Sequence, residues 1–263
     1  YLLYREGDRQ LPAPSNEAEL VKDLNLDVIY KIMAHGDGYI KAAVSRVVPR
    51  AVTDPELVRY RQDIVRECIA HEYVIERFYS IASQAVCDTG SYREFTKPSY
   101  TKVVSTSARL RTSAGLLEIL LGKFRELTNL TQENADFTSQ GLYGFCCRVN
   151  SCVKAGFFDK ARKTAAALKI AAEGNGMVIG AASGNGFKGT AYVLRRVSGP
   201  TRGRLGNKRY RIVLKDYLLG SNAKEAEEAG FVHALRAAGY CVSAILSFME
   251  ALRFETAFYL GCV

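Results

Sequence analysis

Asp54-Pro55-Glu56-Leu57-Val58-Arg59-Tyr60-Arg61-Gln62-Asp63-Ile64 reads as the opening of a long helix. Asp54 offers an acceptor to the unpaired amides of a first turn. Pro55 suits the first helical position, where its missing N–H leaves nothing unpaired, and Leu57, Tyr60 and Ile64 begin an apolar stripe. Cys68, Val74, Phe78 and Ile81 carry that stripe on, so the helix is expected to run from Asp54 to about Ala82. The six prolines, at 12, 14, 49, 55, 98 and 200, leave long windows without a breaker, and other helices can be long as well.

Four such windows follow. From about Val103 to Leu127 the buried face is expected to be Leu110, Leu116, Leu117, Leu120, Leu121, Phe124 and Leu127. Gly141 to Ala155 and Asp159 to Ala172 read as shorter helices, the second basic at first and then rich in alanine, the best helix former. The last, from about Ala223 to Val263, is supported by Val232, Leu235, Val242, Ile245, Leu246, Met249, Leu252, Phe258 and Leu260. Gly230 and Gly239 weaken it at two points. Earlier, His35-Gly36-Asp37-Gly38 reads as a loop ending a helical turn at Val28 to Met33.

Between the helices the period changes. Gly176 to Ser183, Gly189 to Val197 and Lys208 to Leu218 are rich in Val, Ile and Tyr. Gly184-Asn185-Gly186 and Gly199-Pro200-Thr201-Arg202-Gly203 punctuate them, which is the pattern of short strands joined by turns. The expected fold is therefore mainly α and multi-helical, with a small β insertion at about 176–218. The expected division is a helical core over 1–155 and a second helical part, carrying the insertion, over 156–263.

The insertion also holds the charge. The chain has 36 Lys and Arg against 27 Asp and Glu, a formal +9. Phe187 to Tyr217 alone contains Lys188, Arg195, Arg196, Arg202, Arg204, Lys208, Arg209, Arg211 and Lys215 against Asp216, nine minus one or +8. A basic hairpin with interleaved Tyr192, Tyr210 and Tyr217 supplies what a nucleic-acid backbone requires: cations that displace counterions from phosphates, on a semi-rigid support. Arg195, Arg196, Arg202, Arg204, Lys208, Arg209 and Arg211 are the expected phosphate ligands. Such contacts carry no base specificity. The bland reading of the same residues is a solvated surface loop.

Length allows one domain or two, at 263 residues. No run of 18 apolar residues free of charge occurs, and Tyr1-Leu2-Leu3-Tyr4-Arg5-Glu6 lacks the layout of a secretory signal, so the chain is expected to be soluble and cytoplasmic, without a membrane partner. It begins without Met and stops at Gly261-Cys262-Val263 inside an apolar helical pattern, and is expected to be a piece of a longer chain. The seven cysteines show no C-x-x-C spacing and fit core packing better than a disulfide framework, a zinc site or a catalytic thiol.

No catalytic constellation emerges. Gly184-Asn185-Gly186-Phe187-Lys188-Gly189 matches G-x-G-x-x-G, but a strand and not a helix follows, and the next acid, Asp216, lies too far along for a dinucleotide site. Nor does a kinase H-R-D or D-F-G sequence follow. Gly122-Lys123-Phe124 is not a phosphate loop. His35, His71 and His233 are too scattered to share a metal, and Glu67, Glu72 and Glu76 read as an exposed helix face. No enzyme activity and no cofactor or metal is expected within this segment.

Asp23-Leu24-Asn25-Leu26-Asp27, Asp54 to Asp63, Ser139-Gln140-Gly141-Leu142, and Phe248 to Cys262 with Glu255-Thr256-Ala257-Phe258-Tyr259 occur in an order that resembles the core and lever region of MutS-type DNA mismatch repair ATPases. The likeness is to shorter members that lack the mismatch-reading domains. It implies a helical core, two long lever helices, and in the intact protein a P-loop ATPase domain that binds ATP and Mg, dimerises, and couples nucleotide state to movement of the levers on DNA. In MutS a β-rich clamp lies between the levers, where this chain has its basic strands. The insertion is short for a clamp, which favours double-stranded or branched DNA held by its backbone over recognition of a wrong pair. The alternative is a helical scaffold whose basic strands contact an acidic protein partner or the adjacent ATPase domain.

Overall fold

The structure, a computed structural model, describes residues 2–8, 10–90, 104–134, 136–154, 156–172, 177–183, 189–197 and 222–263. Among these the chain is mainly α: α1 Glu17–Asp23, α2 Leu26–Met33, α3 Gly38–Val47, α4 Pro55–Ala70, α5 Glu72–Asp88, α6 Thr106–Glu133, α7 Gln140–Lys154, α8 Phe157–Ala172 and α9 Asn222–Cys262. Two strands, β1 Met177–Ser183 and β2 Gly189–Val197, lie between α8 and α9 and pair antiparallel. The mainly helical fold with a small β insertion is thus as the sequence predicts. The third expected strand, Lys208 to Leu218, lies outside the described residues.

Asp54 caps α4 as its chemistry dictates, accepting from the Glu56 amide at 2.9 Å with Pro55 in the first turn. The helix does not continue to Ala82. It ends at His71, whose φ of −125° and ψ of 37° are not helical, and α5 restarts at Glu72. The stripe itself records the break. Cys68 to Val74 is a step of six, where an unbroken helix needs seven. Ending one helix and starting another lets both Cys68 and Val74 be buried.

The loop at His35-Gly36-Asp37-Gly38 does end α2, with His35 at φ 46° and Gly36 at φ 84°. Asp37 also starts α3. Its carboxylate accepts from the amides of Tyr39 at 2.7 Å and Ile40 at 3.2 Å, and from the Tyr79 hydroxyl at 2.8 Å. Burial opposes its charge, but these bonds and nearby Arg253 hold the carboxyl below the usual aspartate value.

The chain forms two compact units that are not successive in sequence. The first is Tyr1–Cys87, Lys123–Gly156 and Leu246–Val263; the second is Asp88–Gly122 and Phe157–Ile245. The first has an aromatic core, with Phe78 edge-on to Phe145 at 5.5 Å between ring centres and Phe124 against Phe248 at 5.4 Å. In it Gly141, at the start of α7, lies directly against Ile64 and Tyr60 of α4. The second unit is built on smaller residues: Leu110, Ala114, Leu168, Ala171, Ala172, Phe231 and Ala238 form one buried cluster. Small side chains let helices approach closely.

All seven predicted face residues of α6 are buried. α9 runs unbroken through Gly230 and Gly239. Its face is displaced from the predicted one near the start, where Val232 is 43% exposed and its neighbour Phe231 is buried. Glu228–Cys262 contains a window long and apolar enough to cross a membrane. Within it Ala238, Val242, Leu246 and Met249, spaced at four, four and three, are buried against the protein.

Candidate nucleic-acid interface

The predicted phosphate ligands fall in two groups. Arg195 and Arg196 lie on β2; Arg202, Arg204, Lys208, Arg209 and Arg211 lie outside the described residues. The hairpin therefore brings two of the seven together on one strand.

Their place on that strand is irregular. Val178 pairs with Arg196 and Ile179 with Leu194, so one step along β1 corresponds to two along β2, and Arg195 is the extra residue of a bulge. A second irregularity falls between Gly180 and Ala182. Bulges bend and twist a strand and interrupt its ladder, and they gather where a sheet re-aims its surface for binding. The adjacent cations thus occupy a departure from strict pairing. Nothing in the alternation of Val, Ile and Tyr announces it.

The root of the hairpin is fixed by its own unit. β1 passes against α9 where Gly230 lacks a side chain; a Cβ there would meet Ile179 carbons at 3.4 Å. At the end of α8, Arg111 of α6 donates through Nη2 to the Ala172 carbonyl at 3.2 Å, satisfying a last-turn acceptor with a cation where the helix dipole favours one. One turn earlier Lys169 pairs with Glu118 of α6 at 3.1 Å. With the alanine-rich core below, the strands are carried on three tied helices.

Further exposed cations stand on the same unit. Lys160, Arg162 and Lys163 are exposed on α8, and Arg236 on α9. Asp159 offsets Arg162 at 3.8 Å. The basic start of α8 was visible in the sequence, but outside the dense run at 187–217 it gave no reason to be singled out. Among the described residues no cluster of three or more His, Cys, Asp or Glu side chains could hold a metal ion.

The acidic residues belong to packing. Glu72 and Glu76 are exposed, as expected. Glu67 is not part of that exposed face. Its carboxylate accepts from the Thr138 hydroxyl at 2.8 Å and the Ser139 amide at 2.9 Å, and also from the Thr138 amide and the Ser139 hydroxyl, at the start of α7. Burial works against its charge, yet these four donors hold the carboxyl below the ordinary glutamate value. Glu255 is the reverse case. It is buried, and burial raises its carboxyl above the ordinary value although the Leu2 amide donates to it at 2.8 Å.

Residues 53–263 match the family model of the MutS2 N-terminal domain. No curated protein and no solved structure matches the chain.

Proposed function

The chain belongs to the MutS2 N-terminal domain family, and from that premise of a MutS-type, mismatch-repair or recombination-related protein we propose that it is the DNA-binding and lever module of a MutS-like ATPase. On this reading the domain itself is non-catalytic. A P-loop ATPase domain beyond it binds ATP and Mg, two copies of the protein act together in the cytoplasm, and α6 and α9 transmit nucleotide state to DNA engagement. The basic insertion is the element that meets DNA.

The observation that supports this most is the concentration of charge. The insertion carries +8 of the formal +9 and is attached through strands rooted on tied helices. Seven cations that each meet one phosphate of a duplex give a log affinity against log salt slope of about −6, at roughly −0.9 per contact. Base edges need not be read, so double-stranded and branched DNA both qualify.

The test is binding of the chain to linear, mismatched and four-way-junction DNA across a salt series, beside a variant with Ala at Arg202, Arg204, Lys208 and Arg209. The variant should bind more weakly to all three, with a slope shallower by about 3.6, four times the contribution of one phosphate. An unchanged slope removes the insertion from the DNA contact. In that event the basic strands serve an acidic protein surface or the neighbouring ATPase domain.

A further inference from the structure

Charge divides by unit. The stretches that make up the first unit hold 16 Lys and Arg against 18 Asp and Glu, a formal −2, and those of the second hold 20 against 9, a formal +11. The insertion supplies +8 of the latter, which leaves +3. That remainder belongs to α8, where Lys160, Arg162, Lys163 and Lys169 stand against Asp159, four minus one. The four cations lie on two edges of the helix. Arg162 and Lys169, seven residues or nearly two turns apart, share one edge, and each has an acid: Asp159 at 3.8 Å and Glu118 at 3.1 Å. Lys160 and Lys163, neighbours at i and i+3, share the other. Both are exposed, and neither has an ion pair among the described residues. Like charges at that spacing destabilise a helix, so an anion from outside relieves the pair.

We propose that Lys160 and Lys163 form a second phosphate contact, made to the backbone of the same nucleic acid that the insertion meets. The inference rests on the DNA-binding reading above but uses none of the residues that carried it. Its geometry comes from α8, which packs against β2, the strand of Arg195 and Arg196. Lys163 lies nine residues before the end of α8, roughly 14 Å back along the helix. Over that rise one strand of a duplex presents about four phosphates, so the two cation groups reach different ones. Groups separated in this way call for an anion that repeats its charge over the same length, as a nucleic-acid backbone does.

The experiment measures binding of the full chain to linear duplex DNA across a salt series. Lys160→Ala with Lys163→Ala should make the slope of log affinity against log salt shallower by about 1.8, two contacts at roughly 0.9 each. Added to the four alanines of the insertion variant, the pair should lower it further by the same amount. Arg162→Ala with Lys169→Ala removes equal charge and should leave the slope as it was, because only neutralised phosphates release counterions. If an alanine pair does not fold, glutamine at the same two positions removes the same charge and keeps most of the side-chain length. A slope that falls in the insertion variant but not in the Lys160 and Lys163 pair overturns this contact and leaves the DNA reading standing. An equal fall for both α8 pairs reduces the effect to general charge and overturns the assignment to one edge. Absent or salt-independent binding by the unaltered chain ends both readings, and the cations of α8 are then a solvated face.

Discussion

Replacing Gly141 by Ala should destabilise the first unit, although alanine is the better helix former. Gly141 is the second residue of α7. A Cβ built on it would lie 2.8 Å from Ile64 Cγ1 and 3.0 Å from the Tyr60 hydroxyl, and closer still to Ile64 Cδ1. Ile64 is wholly buried and Tyr60 nearly so, so neither can swing into solvent. The helix gains at most about 1 kcal/mol from the loss of glycine's backbone freedom, whereas overpacking a closed core costs about 1–3 kcal/mol. With the full gain taken, the expected net effect is a loss of about 0–2 kcal/mol. Gly115 and Gly122 in α6 have open space where a Cβ would go, so alanine at either should stabilise by up to about 1 kcal/mol. Urea unfolding of the three variants, with the m-value checked for constancy, reads the contrast in sign. Ile64→Val removes the nearest carbon at its own cost of about 0.5–1.5 kcal/mol, and combined with Gly141→Ala the two losses should fall short of their sum. If Gly141→Ala stabilises as much as Gly115→Ala does, or the pair adds without coupling, the close approach of α4 and α7 is not what the glycine is for.

Three further outcomes concern carboxylates. Glu67→Ala should cost about 1–2 kcal/mol through loss of the bonds that hold Thr138 and Ser139 ahead of α7, as urea unfolding at pH 7 would show, while Glu67→Gln keeps an acceptor and should cost less. Asp37→Ala should cost about 1 kcal/mol by freeing the first amides of α3, and Tyr79→Phe should leave that helix capped while removing one bond to the same carboxylate. Both carboxyls sit below their ordinary values, so their stabilisation is in place above the ordinary carboxylate range and is lost as pH falls through the lowered value; either alanine variant should flatten the acid limb of stability against pH. Glu255 has the opposite sign: its raised value makes its contribution complete below the ordinary glutamate value and lost as pH rises through the raised one. Glu255→Gln should therefore remove a decline in stability above that range, and a decline that persists in the variant would assign it to another group.

What the sequence disclosed was periodic or local. The stripe of α6, the alanine run of α8, the paired strands and the Asp54 cap each rest on residues within a turn or two of one another, and each is present. What it hid depends on partners brought together only by folding. Glu67 meets Ser139 across 72 residues and Leu2 meets Tyr259 across 257, so a side chain read as a solvated face holds the residues that start α7. The break at His71 left a trace in the spacing of Cys68 and Val74, but a stripe followed by eye passes over a single missing residue. Of the candidate interface the charge was legible in composition. The bulge at Arg195 was not, because ladder register depends on which strand pairs with which.

The two units solve different problems with different residues. The first spends large aromatics and buried hydrogen bonds on joining three distant stretches of chain, and the bonds of Glu67, Glu255 and Tyr259 each close a loop of more than seventy residues. Among its described residues the second has a buried cluster that is mostly alanine, with ties from Arg111 to a helix end and from Lys169 to Glu118. That economy suits a support for dense like charge. Without its +8 insertion the chain would carry a formal +1, so almost the whole net charge of the chain originates in one segment. The aromatic first unit, which carries none of that charge, is left free to hold the end of α9 in place.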